Sequence, residues 1–336
     1  MTGEHGGHPA LLAEVTRGDR VESRHFGHAA VVDAGGRLLF AAGDPDRAIY
    51  PRSAVKPLQA LAGVALGTAE RFALSDREIA VICASHAAEP RHRDAVAAIL
   101  ARIGASEADL RCGPHPVSHL PTRDALIREG REPTPIYSNC SGKHAGMLAL
   151  ARLLGAPLQG YWEPEHPVQQ EVRRVLAALC GAGDGLPWAV DGCGVPTYLL
   201  PLRQLALGFA RLAEPSGLGE ADREAALRIA KAMNREPETV RGEGGFDTLL
   251  MRALPRVLVS KGGAEGCHAA GLVGRRIGIA VKVEDGSARA LPPVVLSLLR
   301  RLEALPDPLP AALGPLARPA VENTRGMVVG EVRACV

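Results

Sequence analysis

Aromatic residues are scarce in this sequence, and neither sign of charge is in excess. Phe, Trp and Tyr make up 3% of the 336 residues, and 39 Lys and Arg face 37 Asp and Glu, so the formal net charge is +2. Few rings are therefore available to stack on bases, and no strong field exists to attract nucleic acid or an anionic membrane. The composition predicts no nucleic-acid partner, no membrane partner, and a small polar ligand.

The sequence also lacks a long apolar run and a regular cysteine framework. No stretch approaches the roughly 20 apolar residues that span a bilayer, and residues 1–17 lack the basic and then apolar pattern of a secretory signal. The seven cysteines are odd in number and scattered, which does not suit a disulfide framework. We therefore expect a soluble cytoplasmic protein whose thiols are free or bind a metal.

Strand patterns occur at both ends of the chain, and helical patterns occur between them. Residues 28–33 and 37–42 are apolar and flank a tight, glycine-containing turn, which predicts a hairpin. Helical patterns with recognisable caps or stop signals predict helices at 75–83, 91–103, 142–154 and 167–180. Helical patterns also predict helices at 202–212 and 220–233. Strands are predicted again at 256–260, 267–272 and 277–283, followed by a helix at 293–302 and a last strand at 327–332.

This order predicts an α+β fold, in which a mixed, mainly antiparallel sheet is flanked by helices and carries an α-helical insert. Residues 1–336 are expected to form a single catalytic unit, with sheet-containing regions at 1–74 and 185–336 and a mainly helical region at 75–184. The hydrophobic content of 46% is sufficient for a core of that size.

Ser53 and Lys56 form an S-x-x-K pattern where an extended segment meets an apolar helix. The spacing places the hydroxyl and the amine on one helical face, with the serine at the positive end of the helix dipole. A lysine can activate a serine nucleophile if burial or another cation lowers the lysine pKa. The alternative is a capping serine followed by a solvated lysine.

Lys261 closes an apolar strand and precedes two glycines, which let a ligand approach the backbone. In position, this segment resembles the K-T-G strand element of penicillin-binding proteins and serine β-lactamases, although Gly262 replaces the hydroxyl residue and no S-D-N triplet occurs. The helical region offers Ser85 instead, just after a predicted helix. The alternative makes Lys261 a surface charge and Ser85 a helix terminator.

Two cysteines lie in segments that are dense in reactive groups. Cys140 belongs to YSNCSGKHAGM, which opens a helix, and Cys193 belongs to the glycine-flanked turn DGCG. The first segment is not a Walker A loop, which disfavours phosphate binding. Two thiolates would suit a soft divalent metal, with Lys143 or His144 as a third ligand. The alternative is a pair of buried free cysteines.

Two further features are predicted to be structural. His86 and His92 flank Pro90 at a helix start, where they are expected to be a cap and a surface residue. The glycine-rich segments 181–185 and 241–246 miss the G-x-G-x-x-G spacing and are predicted to be turns.

Five blocks of sequence occur between residues 53 and 266, in the order SAVKPLQAL, CASHAAEPRHRDAV, YSNCSGKHAGML, VDGCGVPTYLLPL and KGGAEG. Together they resemble the rhizobial-type, class 3 L-asparaginases of the asparaginase II family. The resemblance implies a fold similar to serine β-lactamases and glutaminases, a homodimer, and hydrolysis of L-asparagine to L-aspartate and ammonia. It also implies one Zn²⁺ per chain, which assists substrate binding and does not provide the nucleophile.

The resemblance also assigns roles to individual residues. The family's two Ser-Lys tandems fall on four residues, namely Ser53 with Lys56 and Ser85 with Lys261. The family's zinc ligands fall on Cys140, Lys143 and Cys193. Lys143 is thereby favoured over His144 as the third ligand.

We expect acyl transfer through a serine. Lys56, kept partly neutral by the charge of Lys261, takes the proton from Ser53, whose oxygen attacks the side-chain amide carbon. Ser85 and Lys261 relay protons to the leaving ammonia, and water resolves the aspartyl ester. The candidates for substrate binding are Arg52, Asp191, His144 and Gly262. Complementary charge suggests the first two, and a backbone N–H beside the glycine would hold the oxyanion.

Two other functions are consistent with the sequence. A serine β-lactamase-like or peptidase-like hydrolase would use the same serine, although such enzymes normally work outside the cytoplasm and carry an S-x-N element. A non-catalytic, zinc-containing binding protein would keep the fold and use the metal as a structural staple.

Overall fold

The structure is a computed structural model that describes residues 7–183 and 185–336. The strands of the described residues are β1 (Ala10–Arg17), β2 (Arg20–Asp33), β3 (Leu38–Ala42), β4 (Ala48–Ile49), β5 (Trp188–Val190), β6 (Pro196–Tyr198), β7 (Leu200–Pro201), β8 (Leu258–Gly263), β9 (Cys267–Leu272), β10 (Ile277–Val283), β11 (Ala320–Glu322) and β12 (Val328–Ala334).

The α-helices of the same residues are α1 (Lys56–Ala65), α2 (Thr68–Arg71), α3 (Asp76–Ile82), α4 (Pro90–Arg102), α5 (Leu120–Arg128), α6 (Ser141–Leu153), α7 (Pro167–Cys180), α8 (Leu202–Ala213), α9 (Glu220–Arg235), α10 (Pro237–Arg241), α11 (Phe246–Ala253), α12 (Leu291–Arg301) and α13 (Gly314–Ala317). Short 3-10 helices include Arg52–Val55, directly before α1. In the part of the chain that is described, no helix is both long and apolar enough to cross a membrane.

The chain divides into two compact units. The sheet unit contains the described residues of 1–54, 200–214 and 249–336, and the helical unit contains those of 55–199 and 215–248. The helical unit therefore extends on both sides of the predicted helical region at 75–184. Whether residues 1–336 act as a single catalytic unit stays a prediction.

The sheet unit contains an antiparallel sheet with the strand order β11-β12-β1-β2-β10-β9-β8, and β3 pairs with β2. Helix α8 packs on β2, β9 and β10. Glycines permit this close packing, because a Cβ at Gly278 would lie 1.8 Å from the carbonyl oxygen of Ala206, and one at Gly271 would lie 2.1 Å from that of Phe209. Glycine at these two positions thus lets the helix backbone rest directly on the sheet.

The helical unit is organised around α1 and α3. Helix α1 contacts α6, α7 and α9, and α3 contacts α4, α6 and α9. Helix α6 lies directly on the end of α3, because a Cβ at Gly142 would come 2.0 Å from the carbonyl oxygen of Val81. This close approach brings the segment after α3 next to the start of α6, and both segments carry candidate site residues.

The predicted α+β class, with its mainly antiparallel sheet and helical insert, is confirmed. The 28–33 and 37–42 segments pair as β2 and β3. The predicted capping box forms at α3, where Ser75 Oγ accepts a hydrogen bond from the Glu78 backbone N–H at 3.3 Å and the Glu78 carboxylate accepts one from the Ser75 N–H at 2.7 Å. Strand β1, which the sequence analysis did not predict, pairs with both β2 and β12.

Candidate active site

In the sheet unit, the end of β8 lies against the segment that carries Ser53. A Cβ at Gly263 would come 2.5 Å from the carbonyl oxygen of Pro51 and 3.1 Å from the backbone nitrogen of Ala54. Ser53 itself lies in the 3-10 helix and is partly exposed. The preceding Arg52 has a φ of 51°, in the left-handed region. Glycine at the end of β8 is therefore required by this close backbone approach.

Lys261 is fully buried within β8, so its alternative interpretation as a surface charge is wrong. Its Nζ donates a hydrogen bond to the carbonyl oxygen of Gly262 at 2.6 Å. The neighbouring Ser260 Oγ lies 3.0 Å from His268 Nε2. A fully buried amine with a backbone acceptor beside it is not a solvated lysine.

In the helical unit, Lys56 is 1% exposed and points into a cluster of hydrogen-bond acceptors. Its Nζ donates to the carbonyl oxygen of Ala84 at 2.7 Å, to Ser85 Oγ at 3.1 Å and to the carbonyl oxygen of Asn139 at 3.3 Å. The alternative of a solvated lysine is therefore wrong.

Burial lowers the pKa of Lys56 below its usual value, and the positive charge of Lys143 acts in the same direction, although Cys140 opposes both. Lys143 supplies such a positive charge within the helical unit, and the expected effect of Lys261 on Lys56 stays a prediction. Loss of a proton from Lys56 is thus favoured by its surroundings.

The three acceptors around Lys56 decide where its lone pair would point. The two carbonyl oxygens can only accept hydrogen bonds, and a neutral amine has two hydrogens to give. Both hydrogens of a neutral Lys56 would therefore go to Ala84 and Asn139. The lone pair would then face the hydroxyl of Ser85, so that these two groups could exchange a proton.

Hydrogen bonds to its own backbone N–H and carbonyl oxygen hold Ser85 in place. It follows α3 and is buried, its N–H donates to the carbonyl oxygen of Val240 at 3.0 Å, and its own carbonyl oxygen accepts from the Arg241 guanidinium at 3.3 Å. Sequence analysis did not single out Asn139 or Val240, because each contributes only its backbone carbonyl.

The predicted thiol cluster also forms in the helical unit. Lys143 Nζ lies 2.9 Å from Cys193 Sγ, and the carboxylate of Asp191 lies 3.4 Å from that sulfur and 3.9 Å from the amine. The side chain of Cys140 also interacts with that of Cys193. Both cysteines and the lysine are buried, on the start of α6 and in the turn closed by Gly194, which has a φ of 89°.

The electrostatics of this cluster favour a thiolate beside an ammonium. The hydrogen bond from Cys140 lowers the pKa of Cys193 to about 5, against the effect of burial, and the charge of Lys143 adds to this. The same hydrogen bond and burial raise the pKa of Cys140 to about 12. Although burial opposes it, the negative charge of Cys193 raises the pKa of Lys143.

Nitrogen and sulfur donors of this kind fit Zn²⁺. Within residues 7–183 and 185–336, no group of three or more His, Cys, Asp and Glu side chains is arranged to hold a metal ion. The nitrogen and sulfur donors that this cluster offers to a metal are the lysine amine and the two cysteine sulfurs.

The other predicted binding residues are distributed over both units. His144 is fully buried, and burial together with the charge of Lys143 lowers its pKa to about 3. Arg52 and Gly262 belong to the sheet unit, whereas Asp191 and His144 belong to the helical unit. Their roles in substrate binding stay predictions.

His92 is not the surface residue that was predicted. It is fully buried, it stacks on His86 with ring centroids 5.0 Å apart, and its Nδ1 accepts from the Glu89 N–H at 3.0 Å. Sequence analysis also overlooked Tyr161, which is fully buried against His144. Its rarity was the available signal, because the chain has only four tyrosines.

The fold and these buried Ser-Lys and thiol-amine clusters define an α+β protein with a candidate hydrolytic site. The model of the family described as L-asparaginase II matches residues 13–334. The chain belongs to this family, and the resemblance inferred from the five sequence blocks is confirmed at that level. A search of curated proteins gives no significant match.

Several solved structures are similar to this chain. Mglu in its glutamate form has a TM-score of 0.47 and 16% identity, and the similarity covers 83% of this chain and 61% of that chain. A β-lactamase from Mycobacterium bovis has a TM-score of 0.41 and 16% identity, with 82% and 94% covered. A putative β-lactamase from Bacteroides dorei DSM 17855 has a TM-score of 0.43 and 13% identity, with 82% and 93% covered. The chain thus spans 61% of the length of Mglu.

Proposed function

We propose that this protein is an L-asparagine amidohydrolase, which converts L-asparagine and water to L-aspartate and ammonia. Family membership supports amide hydrolysis in general. The single observation that carries the proposal is the buried Lys56, whose pKa is lowered and whose Nζ lies 3.1 Å from Ser85 Oγ. An amine that can stay neutral beside a serine hydroxyl is the essential part of a Ser-Lys hydrolase.

The proposed reaction proceeds through an acyl-enzyme. Ser53 attacks the side-chain amide carbon, Lys56 takes the proton of the attacking hydroxyl, and the C–N bond breaks with release of ammonia. Ser85, which lies against Lys56 Nζ, and Lys261 are proposed to pass a proton to the leaving nitrogen. Water then attacks the aspartyl ester, which restores the serine and releases L-aspartate.

Four residues are proposed to bind the substrate. The guanidinium of Arg52 suits the α-carboxylate and the carboxylate of Asp191 suits the α-ammonium. The backbone N–H groups beside Gly262 suit the oxyanion that forms during acyl transfer. His144 is the fourth candidate.

One Zn²⁺ per chain is proposed to bind Cys140, Lys143 and Cys193. The short Lys143–Cys193 contact of 2.9 Å and the burial of all three side chains support this donor set. Lys143 would have to lose its proton to act as a ligand. When bound, the metal would supply a fixed positive charge that helps to hold the substrate.

The protein is further proposed to be a homodimer, on the basis of the family resemblance alone. Sedimentation equilibrium of the purified chain should give twice the mass of one chain, and a monomer mass at micromolar concentration would contradict this proposal.

The proposed activity is tested with a coupled ammonia assay on L-asparagine, L-glutamine and β-aspartyl peptides, with nitrocefin as a further substrate. Three proteins are compared, namely the natural chain, Ser53→Ala, and Ser216→Ala as a control at an exposed serine. We expect ammonia from L-asparagine with the natural chain and the control, and a loss of at least about 10²-fold with Ser53→Ala. Nitrocefin turnover without ammonia release would favour a β-lactamase-like enzyme. Zinc binding without turnover of any substrate would favour a binding protein.

A further inference from the structure

A buried hydrogen-bonded chain runs from a backbone amide to the ring of His144. The N–H of Arg111 donates to the hydroxyl oxygen of Tyr161 at 2.9 Å, and that hydroxyl lies 2.6 Å from His144 Nδ1. The tyrosine and histidine rings meet edge to face with centroids 5.6 Å apart, and both side chains are fully buried.

These hydrogen bonds determine which ring nitrogen of His144 carries a hydrogen. Because the Tyr161 oxygen already accepts from Arg111, its own hydrogen needs an acceptor, and His144 Nδ1 is the partner within reach. A neutral imidazole that accepts at Nδ1 carries its hydrogen at Nε2, and a protonated imidazole carries one there as well. His144 therefore presents an Nε2–H donor in either charge state.

Tyr161 is itself firmly held. The buried Gln169 donates from its side-chain amide to the Tyr161 carbonyl oxygen at 2.9 Å. The next residue, Trp162, meets the Tyr161 ring edge to face with centroids 5.5 Å apart, and the Arg111 guanidinium lies over the Trp162 ring at 5.3 Å. Contacts to its backbone carbonyl, its ring and its hydroxyl thus all fix the position of Tyr161.

The Nε2–H donor of His144 has no acceptor among the described residues. His144 Nε2 is buried and makes no hydrogen bond there. A buried donor without a partner costs about 1–3 kcal/mol. A ligand oxygen that accepted a hydrogen bond from the His144 Nε2–H would remove this cost and so bind more tightly. The charges that act on His144 include those of Lys143, Lys56 and Asp191, which places it beside the candidate site.

We propose that Tyr161 is a positioning residue that fixes His144 with its Nε2–H directed to an oxygen of the bound amino acid, either its carboxylate or its side-chain amide. The substrate part of this inference rests on the proposed function, whereas the orientation of the ring does not. It adds a residue outside the Ser-Lys and thiol clusters to the substrate-binding apparatus.

The ring orientation is tested by ¹⁵N NMR of histidine-labelled natural protein, with the His144 signals assigned from their loss in His144→Gln. We expect a protonated Nε2 and an unprotonated, hydrogen-bonded Nδ1 at neutral pH. Addition of L-aspartate, which is not hydrolysed, should shift the Nε2–H signal. An unprotonated Nε2 would overturn the inference, and so would an unchanged Nε2–H signal when other resonances show that L-aspartate binds.

Kinetics of Tyr161→Phe test the functional consequence, with Tyr198→Phe as a matched control at another buried tyrosine. We expect the KM for L-asparagine to rise roughly tenfold in Tyr161→Phe, with kcat nearly unchanged and the ¹⁵N signals of His144 showing both tautomers. Unchanged KM and an unchanged tautomer in Tyr161→Phe would overturn the inference. If the natural protein releases no ammonia from L-asparagine, the proposed function and the substrate role of His144 both fail, while the expected ¹⁵N pattern would still support positioning by Tyr161.

Discussion

Lys56 Nζ and Ser85 Oγ lie 3.1 Å apart in the buried interior of the helical unit, although 29 residues separate them in the chain. The sequence pairs Lys56 with Ser53 by spacing, and the family pattern pairs Ser85 with Lys261. The structure adds a direct contact between members of the two predicted tandems. Within the helical unit, Lys56 is therefore in place to exchange a proton with Ser85.

The identity of the acyl-carrying serine follows from trapping the intermediate. In a slowed Lys56→Ala variant incubated with L-asparagine, peptide mass mapping should find an aspartyl adduct on Ser53, because the proposed mechanism makes Ser53 the nucleophile and Ser85 the proton carrier. The adduct should be absent in the Lys56→Ala, Ser53→Ala double variant. An adduct on Ser85 would reverse the two roles.

Close backbone packing at the end of β8 should be necessary for activity. Gly263→Ala places a methyl group 2.5 Å from the Pro51 carbonyl oxygen, so the segment that carries Ser53 must shift. We expect kcat for ammonia release to fall at least tenfold and urea unfolding to show a loss of about 1–3 kcal/mol. Gly217→Ala, which has no atom within 4 Å of the added carbon, is the control. Equal activity of the two variants would contradict the argument.

Zinc retention should depend on the thiol cluster and not on cysteine in general. After dialysis against metal-free buffer, elemental analysis should find one zinc per chain in the natural protein and almost none in Cys193→Ser. Cys180→Ser, at a buried cysteine that ends α7, should keep the metal. The assignment is wrong if the Cys193 and Cys180 variants retain the same amount of zinc.

Acid should destabilise the protein partly through His86. Burial, followed by the charges of His92 and Lys56, holds the pKa of His86 well below its usual value. Below about pH 6.5 the unfolded chain takes up a proton at this residue that the folded chain does not, so the free energy of unfolding falls as the pH falls, by about 1.4 kcal/mol per pH unit.

Urea unfolding between pH 7.5 and about 5.5 measures this slope. It should become shallower in His86→Gln and stay unchanged in His8→Gln, which alters an exposed histidine. A slope that is the same in all three proteins would exclude His86 as a source of the acid sensitivity.

Features that depend on local sequence were predictable. The Ser75/Glu78 capping box at the start of α3 and the left-handed Gly181 at the end of α7 depend only on residues close together in the sequence. The start of α3 and the end of α7 were therefore predicted correctly. Strands β9 and β10 were equally clear, because their apolar runs are bounded by turn residues. The five family blocks then identified the candidate site residues.

Features that depend on distant parts of the chain were not predictable. Strand β1 contains alanine and glutamate, which are under-represented in strands, and it is stabilised by pairing with β2 and β12. The contact between Lys56 and Ser85 depends on how α1 and α3 pack, and that between His144 and Tyr161 depends on the loop before α7. No local pattern specifies these distances.

The most direct test of the central claim is the rate of ammonia release from L-asparagine by Lys56→Met, compared with Lys231→Met at an exposed lysine of α9. Methionine keeps the length and apolar stem of Lys56 but removes the base, and thermal unfolding of both variants checks that the fold is kept. The account predicts that kcat falls by about 10²–10⁴-fold in Lys56→Met and is unchanged in Lys231→Met. A folded Lys56→Met protein that hydrolyses L-asparagine at the natural rate would contradict it.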